Sequence, residues 1–224
     1  MVKYPHRAYI LPAVIVLAIL TILPGIFLYY VSITDYELGE VWTEHKIVGF
    51  KNYARLFSGR DWEFWPSFGI SIKFMLLATA LETLFGFIVA LLLNQEFRFK
   101  SLVFACLLLP ITITPSIVGQ MWKLMYNAEY GVLNYFAQGL FNTKITWLGP
   151  QLAFTSTLLV DVWQWTPFMA LIIYAGLRSV PAEPYEAALV DGANVVQSFR
   201  YVTLPLLRPL LMLAILFRSM DSLK

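Results

Sequence analysis

Three carboxylates stand inside apolar runs of the sequence: Glu82, Asp161 and Asp221. A charge at the centre of a membrane-spanning helix costs about 2.5–3.5 kcal/mol, so such a residue faces protein or water and is a functional candidate by default. Glu82 is flanked by Thr79, Thr83, Gly86 and Ala90, a stripe of small residues at helical spacing. The stripe fits close helix packing with Glu82 hydrogen-bonded inside a bundle. Glu82 and Asp161 together also fit an ion or proton site of a secondary transporter. Asp161 is followed closely by Trp163, Gln164 and Trp165. Aromatic faces beside a few polar groups suit a sugar, whose C–H faces stack while its hydroxyls need partners. An interfacial aromatic belt with a paired aspartate fits the same residues.

Other chemistries lack their residues. There is no HExxH, no GxSxG and no close His–Asp pair, the arrangements that hold a catalytic zinc or activate a serine. No glycine-rich phosphate loop of the P-loop type occurs, so any ATP hydrolysis belongs to another polypeptide. Cys106 is the only cysteine, which excludes an internal disulfide and a cysteine metal cluster. His6 and His45 are far apart, without carboxylates at ligand spacing. The chain reads as a non-enzyme that binds no metal or cofactor of its own.

The elements that carry these residues follow from composition. Of 224 residues, 59% are hydrophobic and 13% charged, with a mean hydropathy of +0.68. A soluble domain is about 45–50% apolar and about 25% charged, so too little polar surface remains here to cover a water-soluble globule. The 17 Phe and 7 Trp suit a chain that meets lipid and its interfaces. A net charge of +2 without a basic stripe excludes nucleic acid as a partner. The chain is read as an all-α, polytopic membrane protein in one domain, residues 1–224.

A spanning helix needs roughly 20 mostly apolar residues. Runs of that kind lie near 9–31, 67–93, 102–123, 152–176 and 204–224. The first is longer than a secretory signal's apolar region and has no A-x-A cleavage site, so it reads as a retained span. Short connections on one side carry Lys3, Arg7, Arg98, Lys100, Arg178 and Arg200. The other side has Lys46, Lys51, Arg55, Arg60 and Lys144 spread over two longer loops, near 32–66 and 125–151. Basic density puts the amino terminus in the cytoplasm. Trp42, Trp62, Trp65, Tyr126, Tyr130 and Trp147 of the outer loops read mostly as interfacial anchors.

The connection near 178–204 differs from the rest. Pro181 ends the fourth span, because the residue before proline leaves the helical region. Pro184 fits the first turn of a short helix, on which Tyr185, Ala188 and Leu189 form an apolar face. Asp191-Gly192 supplies a stop, and Asn194 with Gln197 matches a capping box opening a second helix. Pro205 marks the return to the membrane. So small a helix pair cannot bury its own apolar face. It lies along the membrane or its own bundle, or it docks a soluble partner.

Glu186-Ala187-Ala188, then Gly192, then Val202 and Leu204-Pro205 at fixed spacing resemble the EAA loop. That loop marks the membrane subunits of binding-protein-dependent ATP-binding-cassette importers; Val202 stands where isoleucine is commoner. Gly49-Phe50-Lys51-Asn52-Tyr53, Glu82 with Gly86 and Ala90, Leu109-Pro110, Trp122, Gly131 with Asn134, and Trp147-Leu148 resemble the carbohydrate-uptake branch, the maltose and glycerol-3-phosphate permeases.

The resemblance implies the type I importer permease fold and half of a path for a sugar or related solute. Asp161, Trp163, Gln164 and Asp221 would line that path, and Glu82, Gly86 and Ala90 would serve packing inside the membrane. Glu186, Ala187, Ala188, Asp191, Gly192, Leu204 and Pro205 would couple the chain to a cytoplasmic ATPase. Implied partners are a second permease subunit in a heterodimer, two copies of the ATPase carrying ATP and Mg²⁺, an extracytoplasmic solute-binding protein, and the lipid of a bacterial or archaeal plasma membrane. The family completes its fifth span and adds a sixth, so the chain reads as truncated after Lys224.

Overall fold

In lipid only intrahelical hydrogen bonds satisfy the backbone, so each long apolar run is helical. The computed structural model describes residues 6–37, 39, 45–59 and 61–223; Lys3, Trp42 and Arg60 lie outside them. Among these residues the elements are α1 (His6–Ser32), α2 (Lys51–Phe57), α3 (Phe64–Asn94), α4 (Lys100–Thr112), α5 (Pro115–Met125), α6 (Val132–Phe141), α7 (Ala153–Ser179), α8 (Glu183–Val190), α9 (Val195–Ser198), a π-helical turn (Phe199–Thr203) and α10 (Leu204–Ser222). The chain divides into two units, Met1–Phe68 and Gly69–Lys224, with the division inside α3.

In the first unit, the Gly49–Tyr53 motif closes the chain back onto the end of α1. Gly49 turns in the left-handed region at φ +59°, open to glycine without a steric penalty. The Asn52 amide then donates to the carbonyls of Ser32 (3.0 Å) and Thr34 (2.7 Å), and the Tyr53 hydroxyl lies 2.7 Å from Ser32 Oγ. Carbonyls near a helix end lack intrahelical partners, and these side chains provide them. Trp65 donates its indole N–H to the Leu56 carbonyl at 2.9 Å, so this ring ties α2 to the start of α3.

In the second unit, the third apolar run is not one straight helix. α4 and α5 meet at 95°, with Ile113 and Thr114 extended between them. Pro115 causes the break: it excludes Thr114 from the helical region and opens α5 itself. The freed Ile113 carbonyl accepts from Gln164 Nε2 of α7 at 3.1 Å, the internal partner that irregular backbone in a membrane requires.

The connection after α5 also contains a helix, α6, where sequence showed only a loop. Asn134 organises it and is 3% exposed. Its amide donates to the carbonyls of Asn127, Ala128 and Ile145, and its Oδ1 accepts from the Ile145 N–H and the Trp147 indole. Tyr126 stacks beside Trp147 at 5.7 Å and donates to the Ser156 carbonyl. Tyr126 and Trp147 therefore brace the loop from within.

The core of this unit lies on α7. Ala90, Ile173, Leu177 and Leu207 form one buried cluster, and Ala78, Leu158 and Val162 another. Two glycines set the helix approach. A Cβ on Gly86 of α3 would come within 2.7 Å of Met169 Cβ, and one on Gly176 of α7 within 2.7 Å of Leu207 Cδ2. Gly139 on α6 faces open space. We expect Gly86→Val to cost about 1–3 kcal/mol by overpacking, whereas Gly139→Ala is neutral or slightly stabilising. Thermal unfolding of the purified chain in detergent, followed by tryptophan fluorescence, distinguishes the two.

Candidate functional site

Between the two core clusters, α3, α7 and α10 bring the three intramembrane carboxylates to one cation, Arg218. Arg218 is 2% exposed and Glu82 wholly buried. The guanidinium holds Glu82 in a fork, Nε to Oε2 at 2.6 Å and Nη2 to Oε1 at 2.8 Å, the strongest geometry available to this pair. Nη2 also donates to Asp161 Oδ2 on α7, and Nη1 lies 3.5 Å from Asp221 Oδ2, one turn along α10. The Trp165 ring covers the guanidinium at 4.9 Å. Asp161 and Trp165 share a face of α7 because they are four residues apart. The carboxylates of Asp161 and Asp221 keep a partly open edge, while Glu82 has none.

Asp161, Trp163, Gln164 and Asp221 do not form one lining. Asp161 and Asp221 meet at Arg218. Gln164 is buried and holds the α4–α5 break. Trp163 packs on Trp122 of α5 at 5.5 Å and borders an apolar recess of about 400 Å³ with Cys106, Leu107 and Pro110 of α4. Each helical residue turns about 100° from the last, so Trp163, two beyond Asp161, looks to the opposite side, while Gln164, on a neighbouring face, is committed to the Ile113 carbonyl. The ion-coupled reading loses its site for a related reason: both oxygens of Glu82 are held by Arg218 and the residue is closed. Gly86 and Ala90 continue the buried face of α3 toward α7.

Arg218 was the residue that sequence reasoning missed. Its signal is a cation inside an apolar run, in a chain whose buried acids need one.

The connection between α7 and α10 forms a second surface. α8 ends in a Schellman motif: Ala193 N–H bonds to the Ala188 carbonyl and Gly192 N–H to that of Leu189. Gly192 takes φ +76°, the left-handed conformation that costs another residue about 1–2 kcal/mol. The capping box is complete, Gln197 N–H to Asn194 Oδ1 at 2.9 Å and Asn194 N–H to Gln197 Oε1 at 2.8 Å. The second helix is shorter than the sequence suggests. α9 is a single turn that passes through the π turn into α10 without a break, and Pro205 directly follows the π turn, where the Leu204 N–H bonds to the Phe199 carbonyl. Leu204 and Pro205 thus belong to the span.

Tyr185 is tied to Thr203 by a 3.0 Å hydroxyl contact, which leaves Glu186, Ala187 and Asp191 outward. Around them Leu189, Val190, Val195 and Val196 are 72–87% exposed.

The family described as "Binding-protein-dependent transport system inner membrane component" matches residues 82–224, which include both the ionic cluster and this connection. The chain belongs to that family. It is 37% identical to the trehalose/maltose transport system permease protein MalF of Thermococcus litoralis, over 96% of this chain and 72% of MalF. It is 33% identical to the sulfoquinovosyl glycerol transport system permease protein SmoG of Agrobacterium fabrum, over 95% of this chain and 68% of SmoG. A crystal structure of a bacterial ABC transporter involved in the import of the polysaccharide alginate shares the fold: TM-score 0.72 at 23% identity, covering 95% of this chain and 71% of that one. The protein is a multi-pass membrane permease of a binding-protein-dependent system, and nothing in these relationships favours ion coupling.

Breaking a buried ion pair by removing one partner costs about 3–5 kcal/mol, because the other charge stays buried. Glu82→Ala and Arg218→Ala are each expected to destabilise the permease by that amount. The double variant should lose clearly less than the sum, since the two residues act as one unit. Thermal unfolding in nanodiscs tests this.

Proposed function

We propose that this permease is one membrane half of an ATP-driven importer for a sugar or related solute. The supporting observation is the connection around α8. Its backbone is fixed by a Schellman motif and a capping box, yet it presents four exposed aliphatic side chains between two spans. A rigid helix with an uncovered apolar rim is built to enter a groove on another protein. Glu186, Ala187, Ala188, Asp191 and Gly192 form the contact, and the groove belongs to a cytoplasmic ATPase that carries ATP and Mg²⁺ in two copies.

Closure of the two ATPases would move α8 and, through it, the spans. The amino terminus is cytoplasmic on this reading, in accord with the basic short connections. A second, different permease subunit completes the path, and an extracytoplasmic binding protein delivers the solute. Asp161 and Asp221, the carboxylates with an open edge beside Trp165, are the groups on this chain that would meet sugar hydroxyls in passage. The sugar class is carried over from the relatives, whose names specify trehalose, maltose and sulfoquinovosyl glycerol.

Co-purification from membranes with the system's ATPase tests the docking role. Gly192→Asp and Glu186→Lys are expected to reach wild-type abundance in the membrane and to lose the ATPase. Equal retention by all three proteins would remove the role from this loop. Uptake of radiolabelled trehalose, maltose and xylose by cells expressing the complete system tests the solute class. At least one is expected to accumulate with wild-type permease and to stop accumulating with Gly192→Asp.

A further inference from the structure

We infer that Arg218 is a positioning residue that makes α10 a rigid lever between the ATPase contact and the middle of the membrane; this rests on the importer reading above. α10 is the direct continuation of the coupling segment, since α9 and the π turn lead into it without a break. Near the loop it packs on α7 through Leu207 and Leu210, whose Cδ2 atoms lie against Gly176. Eight to eleven residues further on, about 12–17 Å along the helix axis, it is fixed again by Arg218.

That second attachment joins three helices at one group: Glu82 of α3 by a fork, Asp161 of α7 by Nη2, and the Trp165 ring across its face. A helix held to α7 at two separated points cannot slide or roll on it. A displacement applied at α8 is therefore delivered at Asp161 and Glu82 instead of being absorbed by bending near the π turn. Apolar contacts alone would not have this effect, because leucine packing tolerates small rotations that a forked, directional ion pair does not. Lysine would keep the charge and lose the fork.

The test is the ratio of ATP hydrolysis by the complete assembled transporter with and without its binding protein loaded with the transported sugar. The ratio is measured per assembled complex, so a loss of abundance or stability does not enter it. For wild type we expect stimulation of roughly fivefold or more, the range typical of coupled sites. Arg218→Lys and Glu82→Gln should both assemble, hydrolyse ATP at the unstimulated wild-type rate, and show a ratio of about one, the value for uncoupled sites. The charge-exchanged variant Glu82→Arg with Arg218→Glu should regain part of the ratio. A wild-type ratio in either assembled single variant overturns the inference, and so does failure of both to assemble, which would make the cluster a folding requirement only. Absence of stimulation in wild type would instead count against the importer reading.

Discussion

One buried guanidinium ties α3, α7 and α10 to one another. A bilayer offers no water to a charge, so Arg218 is tolerable only where carboxylates and an aromatic face replace its hydration shell. Those groups come from three helices, and their meeting point fixes the rotation of each about its axis. The tight glycine contacts follow from this. Glu82 can reach Arg218 while Gly86, one turn on, presses against Met169 only because no side chain intervenes. Lengthening that contact by a methyl or two would pull the fork apart.

The same demand for internal partners governs the backbone. Pro115 breaks the third span, and the carbonyl it frees at Ile113 is met by Gln164. The turn after α5 is irregular, and Asn134 meets its polar groups from inside. In both places a side-chain amide substitutes for the missing helical bond, since it offers a donor and an acceptor on one flat group. The connection between α7 and α10 uses the other solution: a Schellman motif closes the end of α8 and a capping box opens α9. Tyr185 bonds to Thr203 of the π turn and Phe199 packs on Phe87 of α3, while the outer surface of the connection stays exposed.

Much of this was legible in the sequence, and the parts that were not share a cause. Span positions, the stop at Gly192 and the capping box at Asn194 depend on neighbours within a few residues, which is the range over which sequence patterns report. The EAA spacing and the stripe of Glu82, Gly86 and Ala90 are local for the same reason. The right-angle bend at Pro115 was missed because apolar composition alone cannot separate a straight span from two half-length helices. Gln164 and Trp163 were grouped with Asp161 by proximity along the chain, although the helical turn sends Trp163 to the opposite side and Gln164 is taken up by the Ile113 carbonyl. Arg218 eluded the reading because its meaning lies 136 residues away at Glu82.

That separation also sets an order of events during synthesis. Chains elongate at about 5–20 residues per second, so roughly 7–27 s pass between the making of Glu82 and of Arg218. For that interval α3 carries a carboxyl group whose eventual counter-charge has not been translated. Until then the acid must find its partners near the insertion machinery or the lipid headgroups. The contact among α3, α7 and α10 can therefore form only once α10 arrives with its arginine.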